Sequence, residues 1–152
     1  MFKILIVCSV LFTATAQVIG GCNVTDLVTE GKAIYNEIPP TQLAQVKSII
    51  SEAYASNTTM TKGQFLTQLE NVANTLSANL QTQIRNFVPT SLPQIPSTLS
   101  SAAQTTGNQI ESILSNMTIT MPQNDAQIRQ IIQNTNPSVL AELKTIKVFP
   151  NC

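Results

Sequence analysis

Apolar residues return every three or four positions along most of the chain, and proline, hydroxyl or amide residues separate the runs. This spacing places the apolar side chains on one face of an α-helix. Pro39-Pro40 and Pro89 end two runs, because proline lacks the amide N–H that a helix interior needs. No alternation of period two and no hairpin dipeptide occurs, so the pattern predicts an all-α bundle of about five to seven helices. The predicted helices run from Val24 to Ile38, from Thr41 to Ser56, from Thr61 to Val88 (as one helix, or as two with a bend near Ser77), from Pro96 to Ser115, from Thr120 onward and from Asn136-Pro137 onward.

One short stretch occurs twice. Residues 57–64 and 116–123 share the pattern N-x-T-[M/I]-T-x-x-Q at an offset of 59 residues. In each copy the second Thr stands three residues before a Gln and just ahead of an apolar run. This arrangement is typical of a capping box, in which the Thr hydroxyl accepts an N–H of the first helical turn and the Gln side chain accepts the N–H of the cap. The sequence therefore predicts helix caps at Thr61 with Gln64 and at Thr120 with Gln123.

The same offset aligns apolar positions beyond the motif. Upstream, 48–51 (SIIS) also matches 112–115 (SILS) after a five-residue difference in loop length. We interpret this as a duplicated helix–loop–helix, with a first unit at about 41–88, a second unit at about 97–149 and a Pro-rich link at 89–96. Two such units can bury their apolar stripes against each other. The aligned pairs are Met60/Ile119, Leu69/Ile128, Val72/Ile131, Ala73/Ile132, Leu80/Val139, Ile84/Leu143 and Phe87/Ile146.

Residues 1–16 have the features of a secretory signal peptide. Lys3 gives a positive start, an apolar run follows, and Ala14-Thr15-Ala16 fits the small-x-small cleavage pattern. The run is shorter than the ~20 apolar residues that a membrane span needs. A buried N-terminal helix is the alternative interpretation. We expect the mature chain, 17–152, to form a single extracellular helical domain.

Two cysteines remain after removal of that segment, Cys22 and Cys152, and they lie at opposite ends of the mature chain. In an oxidising compartment the simplest hypothesis is one intramolecular disulfide that closes nearly the whole domain. Two free thiols and an intermolecular bridge are the alternatives.

Three sequons fit the same compartment. Asn23, Asn57 and Asn116 each begin an N-x-T sequence at or near a predicted loop or helix start, where a glycosylating enzyme could reach them. Chance is the alternative, because Asn and Thr are common in this chain. The surface should be rich in amides and hydroxyls, since only 11% of all residues are charged.

Composition argues against several function classes. Lys and Arg together number 8, Asp and Glu also 8, so no basic excess points to nucleic acid or an anionic membrane. The absence of histidine rules out Ser-His and Cys-His nucleophile systems and metal sites built on histidine. Acidic residues are spread singly, and Glu52 and Asp125 near the repeated loops are expected to be solvated surface carboxylates. The sequence thus predicts a protein that is not an enzyme.

The region from Leu43 to Phe87 resembles the SXP/RAL family of secreted nematode antigens, which is also described through an allergen-type cation-binding domain. The resemblance rests on 48–51 (SIIS), on Asn57 in the loop, on Thr61-Lys62-x-Gln64, and on 69–73 in the next helix. It implies a secreted helical protein of a worm, often an immune target in parasites, with binding of Mg or Ca. Hard cations need several convergent oxygen ligands, and no acidic cluster is visible in the sequence, so no ligand residues are assigned.

The leading hypothesis is therefore a secreted, non-enzymatic helical binding protein that binds divalent cations or a host or partner molecule. The alternative is an extracellular carrier of a lipid or another small apolar ligand, because a bundle rich in Ile, Leu and Val with few aromatics can leave a cavity. A structural coat or seminal-fluid component is a third interpretation.

Overall fold

The structure, a computed structural model, describes residues 24–88 and 91–146. This part of the chain forms seven α-helices without a strand, which confirms the predicted all-α class. The predicted signal peptide, Cys22, Asn23 and Cys152 lie outside the described residues. The helices are α1 (Val24–Glu37), α2 (Pro40–Ala53), α3 (Lys62–Ala73), α4 (Ala78–Phe87), α5 (Ser101–Ser115), α6 (Met121–Asn134) and α7 (Pro137–Leu143).

Capping residues decide where the helices begin. Pro39 precedes α2, and Pro40 is its first residue. An N–H at the first helical position has no partner within the helix, so proline can stand there without the loss of a hydrogen bond. Between α3 and α4 the chain forms two helices rather than one, because the Ser77 hydroxyl accepts the N–H of Leu80 at 3.3 Å and starts α4 anew. Asn136 caps α7 in a related way, by accepting the N–H of Ser138.

The predicted start of the fifth helix at Pro96 is wrong. The helix begins at Ser101, and Ser100 is its cap, with its hydroxyl accepting the N–H of Ala103 at 3.2 Å. Glu142 of α7 accepts both the N–H and the hydroxyl of Ser100, at 2.8 and 3.0 Å. A hydroxyl cap held by a distant carboxylate therefore sets this boundary.

Many of the buried apolar side chains form two clusters, one centred in each unit. α2 packs on α3 in the first unit, α5 packs on α6 and α7 in the second, and α1 packs on α4. Of the described helices, none combines the length and hydropathy that a membrane crossing requires. The first cluster contains Ala53, Met60, Phe65, Leu69 and Met121, and the second contains Ala103, Ile110, Leu114, Ile128, Leu143 and Ile146.

The Pro-rich link packs against α5 through Ile95. Gly107 is buried on α5, and a Cβ at this position would lie 2.8 Å from Ile95 Cδ1 and within 3.3 Å of two further Ile95 carbons. This glycine is thus the place where the link approaches the helix backbone.

We expect Gly107→Ala to destabilise the protein, because overpacking against Ile95 costs about 1–3 kcal/mol and outweighs the gain of up to about 1 kcal/mol in helix propensity. In an Ile95→Ala background the same substitution should become stabilising, since only the propensity gain remains. Urea unfolding of the four variants measures both effects. Stabilisation of the native background by Gly107→Ala would contradict the proposed packing.

Candidate functional site: the junction of the two loops

The two copies of the repeated motif lie side by side. Thr61 and Thr120 face each other as an antiparallel β-bridge. The N–H of Lys62 donates to the carbonyl of Ile119 at 2.8 Å, and that of Gly63 donates to the carbonyl of Met117 at 2.9 Å. Backbone pairing therefore joins the loop of the first unit directly to the loop of the second.

Each loop ends in a complete capping box. Thr61 Oγ1 accepts the N–H of Gln64 at 3.3 Å, and Gln64 Oε1 accepts the N–H of Thr61 at 2.9 Å. Thr120 and Gln123 make the same two bonds at the same lengths. Because both boxes fix the first helical turn, the residue directly after each Thr is held at the junction between the units.

These two residues, Lys62 and Met121, occupy equivalent positions at the offset of 59 and both are buried. Met121 belongs to the second unit but packs in the apolar cluster of the first, with Met60 and Phe65. Lys62 belongs to the first unit and reaches into the second. The units thus exchange one side chain in each direction.

The Lys62 ammonium is surrounded by oxygen. Nζ donates to the carbonyls of Ile113 and Leu114, at 2.8 and 2.9 Å, and to Asn124 Oδ1 at 2.9 Å. The two carbonyls belong to the last turn of α5, where the helix dipole favours a positive charge. The carbonyl of Ile113 also accepts the N–H of Asn116 at 3.2 Å, and its second lone pair accepts from the ammonium. All three ammonium protons are therefore used inside the protein.

Asn124 and Asp125 complete this buried polar cluster from the first turns of α6. They are 2% and 7% exposed, and Asn124 Nδ2 donates to Asp125 Oδ1 at 3.2 Å. Burial raises the pKa of the Asp125 carboxyl, while the hydrogen bond from Asn124 and the charges of Arg129 and Lys62 oppose that shift. The Asn124 amide thus links the ammonium to the carboxylate side of the cluster.

Burial also lowers the pKa of Lys62 to about 8, against the attraction of Asp125, which raises it. Since this value lies above neutrality, the amine is mostly protonated at pH 7. That state matches the three oxygen acceptors around it, because a neutral amine has only two N–H donors.

Sequence reasoning misjudged this cluster. It treated Asp125 as a solvated carboxylate, which is wrong since the side chain is buried, and it assigned no role to Lys62 or Asn124. The repeat contained the missing signal. At the offset of 59, Asn124 and Asp125 align with Phe65 and Leu66, so polar residues stand in one copy where the other has apolar ones.

The sequon asparagines Asn57 and Asn116 are exposed, and both belong to the paired loops. Asn116 Oδ1 accepts the N–H and the hydroxyl of Thr118, at 3.0 and 2.8 Å, in a local turn. On the first loop, Thr58 Oγ1 accepts the N–H of Met60 at 3.1 Å. The junction therefore presents two accessible sequons beside its buried polar cluster, whereas Glu52 is exposed and takes no part in that cluster.

The donors at the junction do not fit a hard divalent cation. Within 24–88 and 91–146, no three His, Cys, Asp or Glu side chains converge. The oxygens around Lys62 Nζ are two backbone carbonyls and one amide, with Asp125 as the only carboxylate of the cluster. Calcium and magnesium sites usually contain several carboxylates or retained waters.

Comparison with known proteins adds no relative. A scan against protein-family models, a search of curated proteins and a search of solved structures each found no match.

We expect Lys62→Met to lower the free energy of unfolding by about 2–4 kcal/mol, because it leaves two carbonyls and the Asn124 oxygen without their shared donor. Lys47→Met is the matched control, since Lys47 is exposed on α2, and surface changes usually stay within about 0.5 kcal/mol. Adding Asn124→Leu to Lys62→Met should recover part of the lost stability. Two apolar side chains would then meet at this position, as Met121 and Phe65 do in the first apolar cluster. Urea unfolding compares the variants, and equal effects of Lys62→Met and Lys47→Met would refute a structural role.

The stability difference between the native protein and Lys62→Met should grow as pH rises from 8 to 10. The folded pKa of Lys62, about 8, lies below the ordinary 10.5, so its contribution is fully present above 10.5 and is lost as pH falls through 8. The slope is at most about 1.4 kcal/mol per pH unit for one proton. The pKa of Asp125 shifts in the opposite direction. Its contribution to stability is therefore fully present below pH 3.8 and is lost as pH rises through the raised pKa. Urea titrations at several pH values measure the difference, and a flat one between pH 8 and 10 would rule out the shift.

Proposed function

We propose that this chain is a secreted, non-enzymatic helical binding protein that engages a protein partner through its exposed surface. The observation that carries the proposal is the state of the buried polar cluster. The Lys62 amine, which could otherwise serve as a base or nucleophile, spends all three N–H donors on internal acceptors. In the described part of the chain no buried side-chain nitrogen or oxygen lacks a hydrogen-bond partner. The cluster therefore stabilises the fold, and we assign the binding function to the exposed surface.

The composition of the surface supports an extracellular protein. Its helices expose many Asn, Gln, Ser and Thr side chains, and the whole chain has no net formal charge. A protein partner fits this surface better than a polyanion, because nucleic acids are held mainly through clustered Lys and Arg. The signal-peptide pattern and the two exposed sequons support secretion and glycosylation at Asn57 and Asn116. The resemblance to SXP/RAL antigens supports the same class of protein.

The lipid-carrier alternative requires a cavity inside the bundle. In the described part of the chain the apolar stripes meet in two clusters, and Phe65, Ile110 and Leu143 are the largest of the fully buried side chains. This packing favours a filled interior, and lipid retained by the secreted protein would overturn the proposal.

Native mass spectrometry of the form secreted by eukaryotic cells tests the secretion, the glycosylation and the lipid-free interior that the proposal requires. We expect a mature chain that starts near residue 17, carries glycans and retains no small apolar molecule. Asn57→Gln and Asn116→Gln should each remove the mass of one glycan, and the double variant should remove both. Asn71→Gln is the matched control, because Asn71 is exposed but lies outside any sequon. A co-purified lipid that survives desalting would favour the carrier, and retention inside the cell would contradict secretion.

A further inference from the structure

The surroundings of Lys62 Nζ have the composition of a cation site. Three oxygen atoms lie 2.8–2.9 Å from the nitrogen, and they come from the end of α5 and the start of α6. Asp125 adds a negative charge close enough to attract the ammonium. Rings of backbone carbonyl oxygens hold monovalent cations in other proteins.

We propose that the Lys62 ammonium is the resident cation of the paired loops, supplied by the chain itself, so that the junction takes no divalent ion. The ammonium stands where an ion would have to stand to reach the three oxygens. Its distances of 2.8–2.9 Å suit N–H···O hydrogen bonds, whereas Mg²⁺ needs oxygens at about 2.0–2.1 Å and Ca²⁺ at about 2.3–2.6 Å.

The backbone keeps the ammonium in place. Lys62 is the first residue of α3, its own N–H donates to Ile119, and the capping box holds the turn that follows. At the next residue, a Cβ on Gly63 would lie 3.3 Å from the Met117 carbonyl, so the two loops approach closely there. A divalent ion could bind there only if the Lys62 side chain left the site, although the backbone of Lys62 is fixed beside it.

Two consequences separate this arrangement from a metal-binding loop pair. The intact protein should show no specific response to Mg²⁺ or Ca²⁺ at the junction. Removal of the lysine side chain should leave an oxygen-lined cavity suited to a small ammonium ion. Lys62→Ala opens that cavity, whereas the thioether chain of Lys62→Met fills much of it and removes the charge.

The first test observes the amine directly. With ¹⁵N-labelled lysine, the Lys62 ammonium should give a separate, slowly exchanging ¹⁵N–H signal near neutral pH, and this signal should be missing from Lys62→Met. Addition of millimolar MgCl₂ or CaCl₂ should leave it unchanged relative to NaCl of equal ionic strength. A saturable shift or loss of the signal with either metal would overturn the proposal.

The second test is chemical rescue. Methylammonium chloride should raise the thermal unfolding temperature of Lys62→Ala in a saturable way, and it should not do so for the native protein or for Lys62→Met. Tetramethylammonium chloride, which cannot donate hydrogen bonds, is the matched control salt. Lack of rescue in a folded Lys62→Ala would overturn the proposal, and if this variant does not fold, the direct observation of the native ammonium decides alone.

Discussion

The fold depends on an exchange of side chains between two paired loops. Each capping box fixes the first turn of a helix, and the backbone bridge at Thr61 and Thr120 holds the two turns together. The residue that follows each cap then has to enter the neighbouring unit. Met121 does so as an apolar side chain and Lys62 as a charge, so one geometrical arrangement is stabilised by two different kinds of interaction.

The two contacts differ in their energetics. Met121 gains from the burial of apolar surface against Met60 and Phe65, which needs little directional precision. Lys62 has to lose its hydration, and this desolvation lowers the pKa of its amine. The cost is offset because the last turn of α5 supplies two carbonyl oxygens where the helix dipole favours a positive charge, and because Asn124 Oδ1 accepts the third N–H. Such a buried charge adds less to net stability than to specificity, since a wrong partner would leave it unpaired.

Much of this architecture could be predicted from the sequence. Capping boxes are local, so Thr61 with Gln64 could be recognised from spacing alone, and helical periodicity gave the all-α class. The start of α5 could not be predicted, because Glu142 fixes Ser100 from 42 residues away. The role of Gly107 could not be predicted either, because its contact with Ile95 arises only in the folded chain.

The buried cluster was harder to foresee, since a lysine and an aspartate are ordinarily solvated and nothing local marks them as interior. Only an alignment of the two copies at the offset of 59 residues reveals them. A hypothetical pairing of two first units would place Lys62 against Phe65, and a pairing of two second units would place Met121 against Asn124. Either arrangement buries a charge or an amide without its partner, which is costly. The differences between the two copies therefore favour the pairing of a first unit with a second unit, which is the intramolecular pairing within one chain.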